Sequence, residues 1–286
     1  MNARNPALDR SSFRLRVGPP PIPHEHGAWV ILYAPLLIAL ATAATLSIAP
    51  ALFLLLAVTG IFMMREAAGL LMRRRGKVGT PLWLAVYTAL FAAGAVPLLV
   101  YGFGPALAPI GLAAFVLFVL HSLLLLWPAR KRLDRSQWGE ILGVASLALT
   151  APAGYVIAHG RLDTTAWLLW AVCTLFFSSA VFFVKMVLAA AKIKQEFDIH
   201  TRLKVGRNHL LYHALLLVAV IMTAISLGAH TGILLVVAFT PILVRALYGW
   251  TRLSNRLPPL KRAGVLETVY SLWFAGFLLA ALRIMH

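Results

Sequence analysis

Charge is scarce in this sequence, and acidic charge scarcer still. Of 286 residues, 12% are charged; nine are Asp or Glu against 26 Lys or Arg. A soluble domain carries about 25% charged residues, so an ordinary water-covered surface is excluded. Cysteine is nearly missing: Cys173 stands alone, inside an apolar run. One cysteine makes no intramolecular disulfide and no Cys-based zinc or iron–sulfur site. A small buried apolar residue is its simplest reading. Alternating ten-residue strands, the mark of an outer-membrane barrel, are missing too.

What the sequence has is apolar material, 61% of the chain. It falls in runs of about 18–24 residues, the length that crosses a hydrocarbon layer of about 30 Å. In lipid the backbone must satisfy its own hydrogen bonds, so such runs become helices. Nine are expected, at about 28–47, 50–71, 81–101, 106–127, 138–158, 164–188, 209–228, 231–248 and 264–284. The fold class is therefore all-α integral membrane. A polar tail, 1–27, precedes one polytopic transmembrane domain, 28–286. Twenty-seven mostly polar or proline-rich residues come before the first run, which does not read as a cleaved signal peptide.

The net charge of +17 is a threading signal, not a nucleic-acid signal. The cations sit in short loops between apolar runs, where anionic lipid is the expected partner. Alternating nine spans puts 24 of the 26 Lys and Arg on one side, leaving Arg161 and Arg283 on the other. Positive residues stay in the cytoplasm. The N-terminus is thus expected inside and the C-terminus outside, in a cell membrane.

Ionisable groups within membrane spans are costly and usually face a cavity or a partner. Here they are Arg65, Glu66, His121, Glu140, Lys185, His209, His213, Arg245 and Glu267, all within about two turns of the basic end of their spans. A shared polar cavity opening to the cytoplasm is the expectation; interfacial anchoring and capping are the alternative. Arg65, Lys185 and Arg245 lie at corresponding depths and suit an anion such as phosphate, diphosphate or carboxylate. They equally suit neutralisation of Glu66, Glu140 and Glu267. His209 and His213, four apart, share one helical face, the spacing of a helical two-histidine metal site. Ordinary interfacial histidines show the same spacing. His159, His230 and His286 read as surface residues on the outer side, and Asp134, Asp163, Glu196 and Asp198 as loop residues.

The densest motif is Pro23-His24-Glu25-His26-Gly27-Ala28-Trp29, just before the first span. Two histidines and a carboxylate can pass protons or bind a metal. Equally, the stretch can be an entry turn, with Glu25 near a helix N-terminus and Trp29 at the interface. A second pattern relates the exits of the second and sixth spans. Phe62-Met63-Met64-Arg65 and Phe182-Phe183-Val184-Lys185 both run on into basic clusters. A 4+4+1 pseudo-repeat explains this, as does the general rule that inward helix ends are basic.

The Pro-His-Glu-His-Gly-Ala-Trp stretch resembles the signature of the YwiC-like family of bacterial multi-pass membrane proteins. The resemblance implies a bacterial inner-membrane location and supplies no reaction. In topology the chain is similar to the UbiA superfamily of intramembrane prenyltransferases. Those have nine helices, with aspartate-rich loops after the second and sixth. Here those places hold Arg65-Glu66 and the stretch Lys185 to Asp198, which lack the spaced aspartates that hold magnesium. Direct binding of an anionic head group by Arg and Lys is the natural replacement. The resemblance implies a site for an isoprenoid or quinone-like lipid, with His24, Glu25 or His26 as acid or base. Arg65, Glu66, Lys185, His209, His213 and Arg245 would hold the substrate. A haem or metal centre using His24, His26, His209 and His213, and a small-solute transporter, remain as alternatives. No cofactor or metal is specified by the sequence.

Overall fold

The computed structural model describes residues 18–23, 26–73, 75–76, 78–126, 135–193, 197–254 and 260–285. These residues form ten helices and no strand: α1 (His26–Leu40), α2 (Ile48–Met72), α3 (Thr80–Val100), α4 (Gly104–Leu126), α5 (Gln137–Ala148), α6 (Thr150–His159), α7 (Thr164–Ala190), α8 (Ile199–Leu227), α9 (Ala229–Thr251) and α10 (Leu260–Met285). With α5 and α6 taken as one passage, eight among the described residues are long and apolar enough to cross a membrane. α1 is the shorter ninth. Large apolar side chains such as Leu112, Phe115, Leu215, Met222 and Leu272 point outward, as lipid-facing helices require.

The helices differ from the apolar runs in three places, each with a local cause. α1 stops at Leu40, short of the expected 47. Its 15 residues rise about 22 Å. Its last carbonyls turn to tighter bonds: Ala39 O accepts from Thr42 N–H at 3.2 Å and from Thr42 Oγ at 2.6 Å, and Leu40 O accepts from Ala43 N–H at 3.3 Å. The fifth run breaks at Leu149 into α5 and α6. Pro152 has no N–H for the Ala148 carbonyl, and Thr150 Oγ donates toward Leu147 O and Leu32 O. α8 begins ten residues earlier than its apolar run. Asp198, expected as a loop residue, caps it by accepting from Thr201 N–H at 2.9 Å. That bond and the Thr201 side chain lower the pKa of the exposed Asp198 carboxyl.

Close helix packing positions the site. α2 and α3 adhere where Gly60 and Gly94 face the partner backbone. A Cβ at Gly60 would lie 2.7 Å from Phe91 Cα, and one at Gly94 would lie 2.9 Å from Ala57 Cα. α1 packs across α5, α6, α7 and α10. A core of Phe176, Phe177, Phe239 and Phe274 joins α7, α9 and α10. Phe176 and Phe274 stack with centroids 3.9 Å apart.

At the end opposite the basic loops, Asp163 caps α7 through Thr165 N–H and Ala166 N–H. It also accepts from Tyr155 OH and Arg161 Nε. Burial opposes its ionisation, but these four donors outweigh it and lower its pKa. It is a junction and not the plain loop residue the sequence implied. His159, expected at the surface, is half-buried; its Nε2 lies 2.8 Å from Thr42 Oγ and its ring stacks on Tyr155.

Candidate functional site

The polar residues near the basic ends of the spans form two clusters, on different faces of α7. The first centres on α5. Ser136 caps this helix, accepting from Gly139 N–H at 3.2 Å, and so fixes where Glu140 and Gly143 project. These two, three residues apart, share a helical face. Lys185 of α7 forms an ion pair with Glu140 and donates to Arg135 O at 2.6 Å. Arg65 of α2 reaches the same face: its Nη2 is 4.0 Å from where a Gly143 Cβ would stand. The same nitrogen lies 3.1 Å from His121 Nε2 of α4. Because a guanidinium only donates, His121 Nε2 accepts there. One turn further out, Asn208 of α8 donates to Gln137 Oε1 at 3.2 Å. Arg65, Glu66, His121, Glu140 and Lys185 are all half-buried, so the cluster is reachable from outside.

The second cluster joins α7, α8, α9 and α10 and is buried. Arg245 of α9 is 8% exposed. Its Nη1 pairs with Glu267 of α10, whose side chain is 38% exposed. Its Nη2 donates to Ser179 Oγ at 2.8 Å. The guanidinium carbon sits 4.9 Å from the Phe183 ring centre and 5.6 Å from that of Tyr270. Ser179 Oγ lies 2.8 Å from His213 Nε2, and His213 Nδ1 lies 2.8 Å from His209 O. A carbonyl only accepts, so His213 Nδ1 carries a proton. His209 is 1% exposed and donates from Nε2 to Ala246 O at 3.2 Å. The histidines are therefore core members, not interfacial anchors. They do not offer two free nitrogens to one point, as a shared metal would need. Among the described residues, no group of three or more His, Cys, Asp or Glu is placed to hold a metal ion.

Two atoms here, Arg245 Nε and His209 Nδ1, are buried without a hydrogen-bond partner among the described residues. Each unmet group of this kind costs about 1–3 kcal/mol. Both residues border Phe183: the His209 ring centre is 6.0 Å from it.

Six residues separate Ser179 from Lys185, a turn of about 600°, so the two project about 120° apart. α7 is thus the wall between the clusters. The three cations that the sequence set at one depth each have their own partner: His121 for Arg65, Glu140 for Lys185, Glu267 for Arg245. Ser179 is the functional candidate that sequence reading missed. Its signal was the Ser178-Ser179 pair within an otherwise apolar run.

His24 and Glu25 lie outside the described residues; His26 opens α1, and its side chain lies outside them also. The flanks of this motif are placed. Tyr87 OH donates to Pro21 O at 3.3 Å, and Trp29 Nε1 to Pro23 O at 3.3 Å. The Trp29 ring meets Phe62 edge-on at 4.8 Å, one turn before Arg65.

Residues 22–155 match the YwiC-like protein family. This YwiC-like segment is a little under half of the chain. It takes in the His24–His26 motif, Glu66 and, of the first cluster, Arg65, His121 and Glu140, but not Lys185 or Asn208. None of the second cluster lies within it. No curated protein and no solved structure matches the chain.

Proposed function

We infer that the protein binds an anionic amphiphile at the α5-centred cluster. The ligand class is an isoprenoid or quinone-like lipid with a phosphate or carboxylate head, entering from the cytoplasmic half of the membrane. One observation carries this reading: Arg65 and Lys185, on different helices, reach one face of α5 at Gly143 and Glu140. Glu140 balances one of the two cations, so an anionic head can add to the cluster without displacing it. Trp29, which closes the motif, meets Phe62 one turn before Arg65; this neighbourhood supports His24, Glu25 or His26 as the acid or base. The YwiC-like segment holds both the motif and most of the cluster.

A binding protein and a UbiA-like transferase use the same residues in this reading, and product formation separates them. The test is lipid extraction from purified protein. A co-purifying isoprenoid or anionic lipid, lost in Arg65→Ala, is the expected result. Extracts that do not differ between wild type and Arg65→Ala remove the proposal.

A further inference from the structure

We propose that α3 and α1 carry an aromatic docking site for a polyproline segment, and that residues 18–23 fill it in cis as a releasable latch. The segment reads Gly18-Pro19-Pro20-Pro21-Ile22-Pro23. Proline fixes φ near about −65° and holds the residue before it in extended backbone. Each of the six residues is a proline or precedes one, so the strap is extended before it meets anything. A polyproline helix repeats every three residues. The carbonyls of Gly18 and Pro21, three apart, therefore point to one side. On α3, Trp83 and Tyr87 are four apart and also share a face. The two periods meet: Trp83 Nε1 donates to Gly18 O at 2.9 Å, and Tyr87 OH donates to Pro21 O at 3.3 Å. The two rings lie 5.9 Å apart. At the far end of the strap, Trp29 of α1 donates to Pro23 O at 3.3 Å. A Cβ on Gly18 would lie 3.0 Å from Val78 O, so glycine lets the strap close on the start of α3.

The chemistry of the strap suits both docking and release. Four of its six residues are prolines and lack an N–H. The strap thus asks little of a membrane edge that offers few partners, and ring donors meet three of its carbonyls. Aromatic sites take proline segments in this way because the segment is already ordered and docking costs little entropy. With four N–H groups missing, no backbone ladder can lock the strap in place. Pro19, Pro20 and Ile22 are exposed, so the strap lies on the surface and is not threaded between helices. Trp83, Tyr87 and Trp29, once uncovered, are residue types that lipid head groups satisfy. The site uses no member of either polar cluster and stands apart from the anion-binding reading.

The experiment uses the full chain in detergent with a nitroxide on Ile22→Cys, a position 42% exposed; Cys173 is fully buried and stays unlabelled. Electron paramagnetic resonance reads the ratio of mobile to immobile label. The label is expected to be mostly immobile in the otherwise wild-type chain, and a mostly mobile label overturns the docking. Trp83→Phe and Tyr87→Phe keep a ring and remove a donor. Each is expected to raise the ratio by about 3–10-fold, and the pair by more. Because Tyr87 is buried, a change on the strap side stands beside these. Pro20→Gly with Pro21→Gly keeps the carbonyls and all of α3 but removes the preordering, and is expected to raise the ratio by a similar factor. A label that stays immobile in the glycine variant overturns the polyproline basis. One that stays immobile in the Trp83→Phe/Tyr87→Phe chain overturns the aromatic site. Warming the wild-type chain below its unfolding transition is expected to enlarge the mobile fraction reversibly. A fraction that does not change means a fixed strap and overturns the latch.

Discussion

Glu267→Gln should be far more damaging than Arg245→Met, although each breaks the same ion pair. The asymmetry comes from burial: Arg245 is 8% exposed, the Glu267 side chain 38%. Removing the carboxylate strands a guanidinium that cannot deprotonate, among Phe183, Tyr270 and Ser179. Breaking a buried pair in this way costs about 3–5 kcal/mol. Removing the arginine leaves a carboxylate more than one-third exposed, which takes up water or a proton. Methionine keeps the apolar stem in place. The cost then falls to the lost hydrogen bonds, about 1–2 kcal/mol. Replacing both, as Arg245→Met with Glu267→Leu, removes the stranded charge and should be less harmful than Glu267→Gln alone. Unfolding of the four proteins by sodium dodecyl sulfate in mixed micelles measures this. Equal losses in the two single variants, or a double variant worse than Glu267→Gln, would refute the burial argument.

Further consequences follow from other contacts. Gly94→Ala should destabilise by about 1–3 kcal/mol because its Cβ meets the Ala57 backbone. Gly111→Ala, which meets nothing within 4 Å, should be neutral or mildly stabilising; thermal unfolding in detergent compares the two. Asp163→Ala removes the α7 cap and should cost about 1–2 kcal/mol. The Asp163 pKa is lowered in the folded protein, so its contribution is complete above the unfolded value of about 3.9 and is lost as pH falls through the lower folded value. A wild-type melting temperature that drops between pH 5 and pH 3 more than that of Asp163→Ala is the expected signature. Arg65→Ala should lose the co-purifying lipid while keeping its thermal stability, since Arg65 is only half-buried.

Sequence reading reached the eight helices long enough to span, and the shorter α1, because an apolar run in lipid has one stable backbone conformation. It reached the ionisable residues because each is conspicuous in an apolar run. It offered the pairing of Lys185 with Glu140 and of Arg245 with Glu267 only as one of two readings. Nothing local to Arg245 says that Glu267, 22 residues on, will meet it, or that α7 will stand between Lys185 and Ser179. The i, i+4 spacing of His209 and His213 rightly placed both on one face, but the spacing is the same for a metal pair and a hydrogen-bonded core pair. The ends of α1 and α8 were misjudged because apolar length was used to set them. Their limits are set by Thr42 and Asp198, small polar side chains that bond the backbone. Asp163-Thr164-Thr165 and Asp198 did carry a capping signal, and both were taken for loop residues.

If the basic loops face the cytoplasm, as proposed, both clusters lie in the inner half of the membrane. Cysteine labelling in intact cells tests this directly. Cys173 is fully buried and stays silent, so single cysteines can replace exposed Arg161 and Lys192. A membrane-impermeant maleimide should label Arg161→Cys in intact cells and Lys192→Cys only after lysis. The opposite pattern, or labelling of both positions from outside, would contradict the threading and the sites built on it.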